Sequence, residues 1–232
     1  MPNLCYNWVM ENIVGRLKSL IPYDQFQLIL GSLLGDARLE CRSKSVRAKH
    51  TARLRVHQSE KQKGYVFWKY AKLKNMVSKG PRFTKVWHDR KRNKIHFSWY
   101  FHTRSDEILG LFHKLFYKKG IKILPSKILD SLEPLGLAVW YMDDGSNNGD
   151  DITLNTHNFS VSEQKILQKL LLTKFGVRST LVKDRSKYKM AIGRYEYEKF
   201  MKVVKPYVIR SMNYKISNPR NDLPQMRQAT IL

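Results

Sequence analysis

Two segments of the chain end an apolar run in a carboxylate. One is Ile29-Leu30-Gly31-Ser32-Leu33-Leu34-Gly35-Asp36-Ala37; the other is Leu137-Ala138-Val139-Trp140-Tyr141-Met142-Asp143-Asp144-Gly145. Aligned, they set Asp36 on Asp144. Acids are scarce here: 19 Asp and Glu stand against 43 Lys and Arg, a formal net charge of +24 over 232 residues. A helix C-terminus carries free carbonyls and partial negative charge, so an Asp there is unfavourable by itself. A divalent cation reverses that balance, because the carboxylate and the last carbonyls can share it as hard oxygen ligands. The candidate ligand sets are Asp36 with the carbonyl of Gly35, and Asp144 with the carbonyl of Asp143. Mg²⁺ suits all-oxygen ligation that leaves room for phosphate and water. Paired sites of this kind in a basic chain point to a polyanionic substrate.

The bulk composition agrees. Hydrophobic residues make up 42% and aromatic residues 12%, enough for a globular core. A charge of +24 repels itself and calls for a neutralising partner. Nucleic acid fits best. An anionic membrane surface comes second, and no stretch approaches the roughly 20 apolar residues of a spanning helix. Cys5 and Cys41 are too few for a disulfide framework or a Cys-rich zinc site, which fits a reducing interior. The seven histidines, at 50, 57, 88, 96, 102, 113 and 157, form no close ligand motif with them along the chain. The first twenty residues lack a secretory signal's apolar core and read as a weakly amphipathic helix, with an organellar presequence as the alternative. The expected compartment is intracellular: bacterial or archaeal cytoplasm, or an organelle.

The elements that must position the acids recur in the same order twice. A helix over 26–34 starts after Pro22 and Asp24. Residues 38–42 and 53–57 alternate as strands. Ser59 with Gln62 reads as a capping box opening the next helix, and Gly80-Pro81 breaks it. Strands over 82–89 and 94–102 and a helix over 105–118 follow. The second half begins with a helix over 137–142 and a strand over 152–156. Ser160 with Glu163 caps a helix that Gly176 stops. A hairpin then turns at Asp184-Arg185-Ser186, and a helix over 195–205 closes the half. The tail after Ser217 reads as irregular. The fold class is therefore α+β, with one half in residues 1–120, including an N-terminal extension, and the other in 121–232 with its short tail. A repeat of this length implies pseudo-twofold symmetry within one chain. Gly31 and Gly35, four apart on one helix face, would let the two acid-bearing helices approach closely, with Ala138 on the other side.

The two acid-ending segments resemble the two motifs of a single-chain LAGLIDADG homing endonuclease. The second match is the stronger and extends into Leu132-Glu133-Pro134; the first departs in Gly35-Asp36-Ala37, where the family name has Ala-Asp-Gly. Further likeness lies in Leu154-Asn155-Thr156, Lys205-Pro206-Tyr207 and Asn213-Tyr214-Lys215. The resemblance implies two pseudo-symmetric αββαββα halves, with the motif helices at their interface and saddle-shaped antiparallel sheets lying on DNA. It implies a monomer that cuts both strands of a long duplex site with Mg²⁺, leaving short 3′ overhangs. Mn²⁺ would substitute, and Ca²⁺ would bind without supporting cleavage. Asp36 and Asp144 would be the metal-binding catalytic acids, one per strand, with Gly35 and Asp143 supplying carbonyls. Lys122 and Lys215 occupy the positions where the family often places a basic residue near each scissile phosphate.

Alternate side chains of a two-stranded ribbon face base edges in a major groove. Arg38, Glu40 and Arg42 share one such face, as do Arg53, Arg55 and His57. Thr153 and Asn155 offer smaller polar readers, and Thr180, Lys183, Lys187 and Lys189 are candidates in the last hairpin. Double-stranded DNA is the expected partner, not a membrane. An RNA-binding intron maturase on the same fold is the competing expectation. No flanking splicing domain is expected from this sequence, so a free-standing intron-encoded protein is the expectation over an intein.

Overall fold

The computed structural model describes residues 2–41, 50–91 and 93–217. Arg42 and the tail beyond Ser217 lie outside the described residues. Helix α1 (Pro2–Leu20) leads through Pro22 into α2 (Tyr23–Leu34). From Phe26 to Leu34 every residue of α2 is buried, so this helix runs through the interior and its apolar residues show no single stripe. Strands β1 (Arg38–Cys41) and β2 (Ala52–Ser59) follow as an antiparallel pair. The second strand alternates cleanly, with Ala52, Leu54, Val56 and Gln58 buried and Arg53, Arg55 and His57 half-buried between them.

The Ser59–Gln62 capping box does not form. Ser59 is still paired with Ser98 in the sheet, and a 3-10 turn over Glu60–Gln62 intervenes before α3 (Lys63–Lys72). Strands β3 (Arg82–Asp89) and β4 (Lys94–His102) complete the sheet, with a bulge between Lys85 and Trp87. Helix α4 (Glu107–Phe116) starts on Asp106, whose carboxylate accepts from the Ile108 N–H at 2.7 Å. It ends short of the expected residue 118. Tyr117–Lys118 instead forms strand β5 against β6 (Ile121–Lys122), turning through Lys119 and Gly120, both at positive φ.

After a short helix α5 (Ser126–Leu129) comes α6 (Pro134–Asp144), then β7 (Gly145–Asn147) and β8 (Ile152–Leu154). Helix α7 (Val161–Phe175) shows the expected capping box at Ser160 and Glu163, and Gly176 stops it at φ 67°. Strands β9 (Thr180–Asp184) and β10 (Lys187–Ile192) make the expected hairpin, and α8 (Arg194–Val204) precedes 3-10 turns over Lys205–Tyr207 and Arg210–Lys215. The fold is α+β. Two open antiparallel sheets, ordered β1-β2-β4-β3 and β7-β8-β10-β9, repeat one connectivity. Among the described residues no helix is long and apolar enough to cross a membrane.

The chain packs as two units, one running through Asp143 and the other from Asp144 onward. The repeat places a boundary at 120/121. The packing boundary falls later because α6 is held against α2. A Cβ at Gly31 would lie 2.2 Å from the Gly136 carbonyl oxygen and 2.9 Å from the Val139 Cβ. The small residue facing Gly31 is thus Gly136, not the expected Ala138. Gln27 on α2 clamps the entry to α6: its amide donates to the Ser131 carbonyl at 2.8 Å and accepts from the Glu133 N–H at 2.9 Å.

This contact sets the sign of a substitution. Alanine at an unhindered helix glycine stabilises by about 1 kcal/mol. At Gly31 the added methyl meets backbone, and overpacking of that kind costs about 1–3 kcal/mol or more. Gly31→Ala should therefore lower the denaturant midpoint. Gly15→Ala in α1, where a Cβ meets nothing within 4 Å, should hold or raise it. Equal responses at the two sites would remove the close-packing account.

Candidate functional site

Asp36 follows the end of α2, in a turn where Gly35 N–H bonds the Gly31 carbonyl at 3.1 Å and Ala37 N–H bonds the Ser32 carbonyl at 2.9 Å. Its carboxylate is exposed at the edge of a cleft of about 470 Å³. Arg38, Arg55, His57 and Gln58 form one part of the lining; Val86, Trp87 and His96, at the bulge of the β3–β4 ribbon, form another. Gln58 orients the acid: its Nε2 donates to Asp36 Oδ2 at 3.0 Å and to Asp143 Oδ1 at 3.1 Å. Lys122 Nζ donates to the carbonyls of Gly35 and Ala37, both at 3.2 Å. The resemblance-derived lysine therefore stands on the carbonyls either side of Asp36 in sequence.

Asp143 explains the departure of the first motif. A Cβ at Gly35 would lie 2.5 Å from the Asp143 Cβ, so the residue before Asp36 must be glycine where Asp143 projects. The Asp143 carboxylate is fully buried and accepts from Lys69 Nζ at 2.8 and 2.9 Å; the Lys69 side chain is fully buried too. Burial pushes the Asp143 carboxyl above its ordinary value, the Lys69 ammonium pulls it back, and the Asp36 charge pushes it up again. The Asp143 carboxylate is thus engaged by Lys69 and Gln58.

In the second unit, Asp144 ends α6 and its carbonyl accepts from the Asn155 N–H at 3.1 Å. Lys215 is buried and its Nζ donates to the Gly145 carbonyl at 2.8 Å. Each unit thus repeats one relation. The candidate lysine donates to the carbonyl of the residue that follows the candidate acid, Ala37 in one and Gly145 in the other. The donor atoms expected at both acids are oxygens only, carboxylate and main-chain carbonyl, and that set fits a hard divalent cation.

The predicted reading residues divide by register. Arg38 pairs with Arg55 and Glu40 with Arg53, so all four share the open face with His57. Glu40 is engaged by its neighbours: Arg53 Nη2 lies 2.6 Å and Arg38 Nη2 2.9 Å from its oxygens. Burial pushes the Glu40 carboxyl up, but hydrogen bonds from Arg53 and Arg38 outweigh it and hold it below its ordinary value. The His57 imidazole sits below its ordinary value through burial, then through the Arg55 and Arg38 charges, and its Nε2 bonds the Ser98 hydroxyl. In the second sheet Thr153 and Thr180 both pair with Ala191, which places them on one face with Lys187 and Lys189. Exposed Asn155 lies just past β8. Lys183, paired with Tyr188, falls on the opposite face, and Lys189 is tied to Asp184 at 3.1 Å.

Two site residues escaped the sequence reading. Gln58 left a signal: it continues the buried positions Ala52, Leu54 and Val56, and an amide there needs polar partners. Lys69 left little, being one lysine among many, four residues after buried Tyr65 on α3.

The twin acid-and-lysine arrangement on two repeated αββαββα units defines a LAGLIDADG protein. Residues 26–200 match the LAGLIDADG DNA endonuclease family, and the chain belongs to it. It is 32% identical to the cytochrome b mRNA maturase bI2 of Debaryomyces hansenii, over 88% of this chain and 84% of that protein. It is also 32% identical to DNA endonuclease I-ChuI of Chlamydomonas applanata, over 84% of this chain and 94% of that one. Among solved structures, the homing endonuclease I-WcaI bound to its DNA recognition sequence matches with a TM-score of 0.75 at 23% identity. That match covers 88% of this chain and 92% of the other and concerns the fold.

Proposed function

We propose that this chain is a monomeric, intron-encoded homing endonuclease. It cuts both strands of a long duplex DNA site with Mg²⁺, one strand at Asp36 and the other at Asp144. The observation that carries this reading is the recurrence of the lysine contact, Lys122 on the Ala37 carbonyl and Lys215 on the Gly145 carbonyl. Asp36 and Asp144, with the carbonyls of Gly35 and Asp143, would hold the metal. When bound, it would supply an activated water and charge stabilisation at the phosphate. Gln58 fixes the Asp36 carboxylate, and the ammonium groups of Lys122 and Lys215 bring positive charge to where the pentacovalent phosphate would build negative charge. The Arg38, Arg53, Arg55 and His57 face would lie on the duplex, with Thr153, Asn155, Thr180, Lys187 and Lys189 doing the same from the second sheet.

A random duplex library treated with the protein and Mg²⁺ should yield a single family of cleaved sites. Absence of any cut duplex would overturn the nuclease reading. Binding to the selected site should weaken steeply with salt. A protein neutralising about 6–10 phosphates loses about 10³–10⁵ in affinity between roughly 50 and 200 mM salt. A flat response in fluorescence anisotropy would count against the basic faces as the DNA contact.

The 32% identity to a protein named as an mRNA maturase favours one second reading, in which the same faces bind intron RNA. Tight, sequence-selective binding of intron RNA with no cleavage of duplex DNA would select it.

A further inference from the structure

Away from the acids, three ligand-bearing side chains converge where β1 ends, β2 begins and α4 passes. Cys41 is the last residue of β1, His50 lies just before β2, and His113 is on α4. One donor atom from each lies within 4.8 Å of the others, and all three residues are half-buried. His50 Nε2 and His113 Nδ1 share a hydrogen bond at 3.1 Å, one ring donating to the other. Zinc–nitrogen bonds of about 2.0–2.1 Å at a tetrahedral angle separate two nitrogens by about 3.3 Å. The two imidazoles are therefore already spaced for one ion between them, with the thiol in reach as the third ligand.

The backbone holds this geometry. A Cβ at Gly110 would lie 1.9 Å from the His50 carbonyl oxygen, so the chain at His50 rests directly on α4. His113 is one turn further along the same helix face. The His113 ring also stacks on Tyr117 at 4.6 Å, and the Tyr117 hydroxyl accepts from the Leu39 N–H in β1 at 3.1 Å. The ring is thus braced from the strand that carries Cys41. Burial lowers both imidazoles from the ordinary histidine value, the Lys114 charge adding to this at His50 and the His50 ring at His113, which favours the neutral form.

We propose that Cys41, His50 and His113 form a binding site for a borderline-soft divalent metal ion, Zn²⁺ by ligand type, separate from the carboxylate sites. Binding replaces the thiol proton of Cys41 with the metal–sulfur bond and releases that proton to solvent. The proton that lies between the two rings without metal moves by tautomer exchange to the outer nitrogen of its own ring, leaving His50 protonated on Nδ1 and His113 on Nε2, so that the facing nitrogens both present lone pairs. The described residues bring three such ligands together, and water takes the fourth position. The site joins Cys41 at the end of β1 and His50 just before β2 to His113 on α4. This inference is independent of the roles given to Asp36 and Asp144.

The test uses the full chain, stripped of metal with a chelator and titrated with Zn²⁺ or Co²⁺ in excess Mg²⁺, which holds the carboxylate sites. The expected result is one equivalent bound by dialysis, with a sulfur-to-metal charge-transfer band for Co²⁺. Cys41→Ser should abolish that band. His113→Gln should weaken binding by more than the 10–100-fold that loss of an outer partner costs. Asp36→Asn should leave both readouts unchanged. In the unmodified chain, Zn²⁺ should slow alkylation of Cys41, read by peptide mapping, so the test does not depend on a variant folding. No bound equivalent, no charge-transfer band, or Cys41 alkylation indifferent to Zn²⁺ would each overturn the proposal.

Discussion

Asp144→Asn should abolish cleavage of the selected duplex while leaving most of its binding. The substitution keeps size and shape but removes the negative charge that a hard cation needs at the end of α6. Loss of a single preorganised charge-stabilising group commonly costs about 10²–10³ in rate, and loss of a metal ligand should cost at least that. Affinity should rest instead on the chain's Lys and Arg side chains meeting phosphate, which the substitution does not touch. A supercoiled plasmid carrying the site separates the outcomes. Unmodified protein gives linear product, and Asp144→Asn should leave the plasmid uncut or nicked in one strand. Linear product at the unmodified rate would remove Asp144 from the site. Asp36→Asn belongs in the same assay. A nick in the opposite strand would show that the two acids serve separate strands, each beside its own lysine, Lys122 on the Ala37 carbonyl and Lys215 on the Gly145 carbonyl.

The element order was legible because each piece carries its own local chemistry. Alternation in Arg53-Leu54-Arg55-Val56-His57 gave a strand with one basic face, and Ser160 with Glu163 gave a helix start. Both are decided by residues within a few positions of each other. What stayed hidden depends on partners far along the chain. Lys69 and Asp143 are 74 residues apart and Gln27 and Ser131 are 104 apart. Nothing in the neighbourhood of either residue names the other. Ser59 failed as a cap for the same reason, since its sheet partner Ser98 competes with the helix for its place. Gly35 is the instructive case. As sequence it looks like a weakened motif; in the structure it is the hollow that receives Asp143.

That buried acid carries the second large effect. Lys69→Met should destabilise the protein by about 3–5 kcal/mol, because it leaves the Asp143 carboxylate buried without its counter-charge. A domain's whole stability is about 5–15 kcal/mol, so the loss is a large fraction of it. At about 2–4 °C per kcal/mol for a chain of this size, Tm should fall by about 6–20 °C. The double variant Lys69→Met with Asp143→Asn should recover part of the loss, since a neutral amide tolerates the site far better than an unpaired carboxylate. Equilibrium denaturation of the four proteins closes the cycle. A Lys69→Met loss under about 1 kcal/mol would mean that the ion pair is dispensable. The single variant should also cut DNA more slowly, although Lys69 is buried and touches no substrate. Gln58 donates to Asp143 and Asp36 through the same amide nitrogen. A carboxylate that gains a proton or shifts when Lys69 is lost takes Gln58 with it, and Asp36 loses the hydrogen bond that sets its orientation. A slowed cut restored in the double variant would tie the buried pair to the orientation of Asp36 as well as to stability.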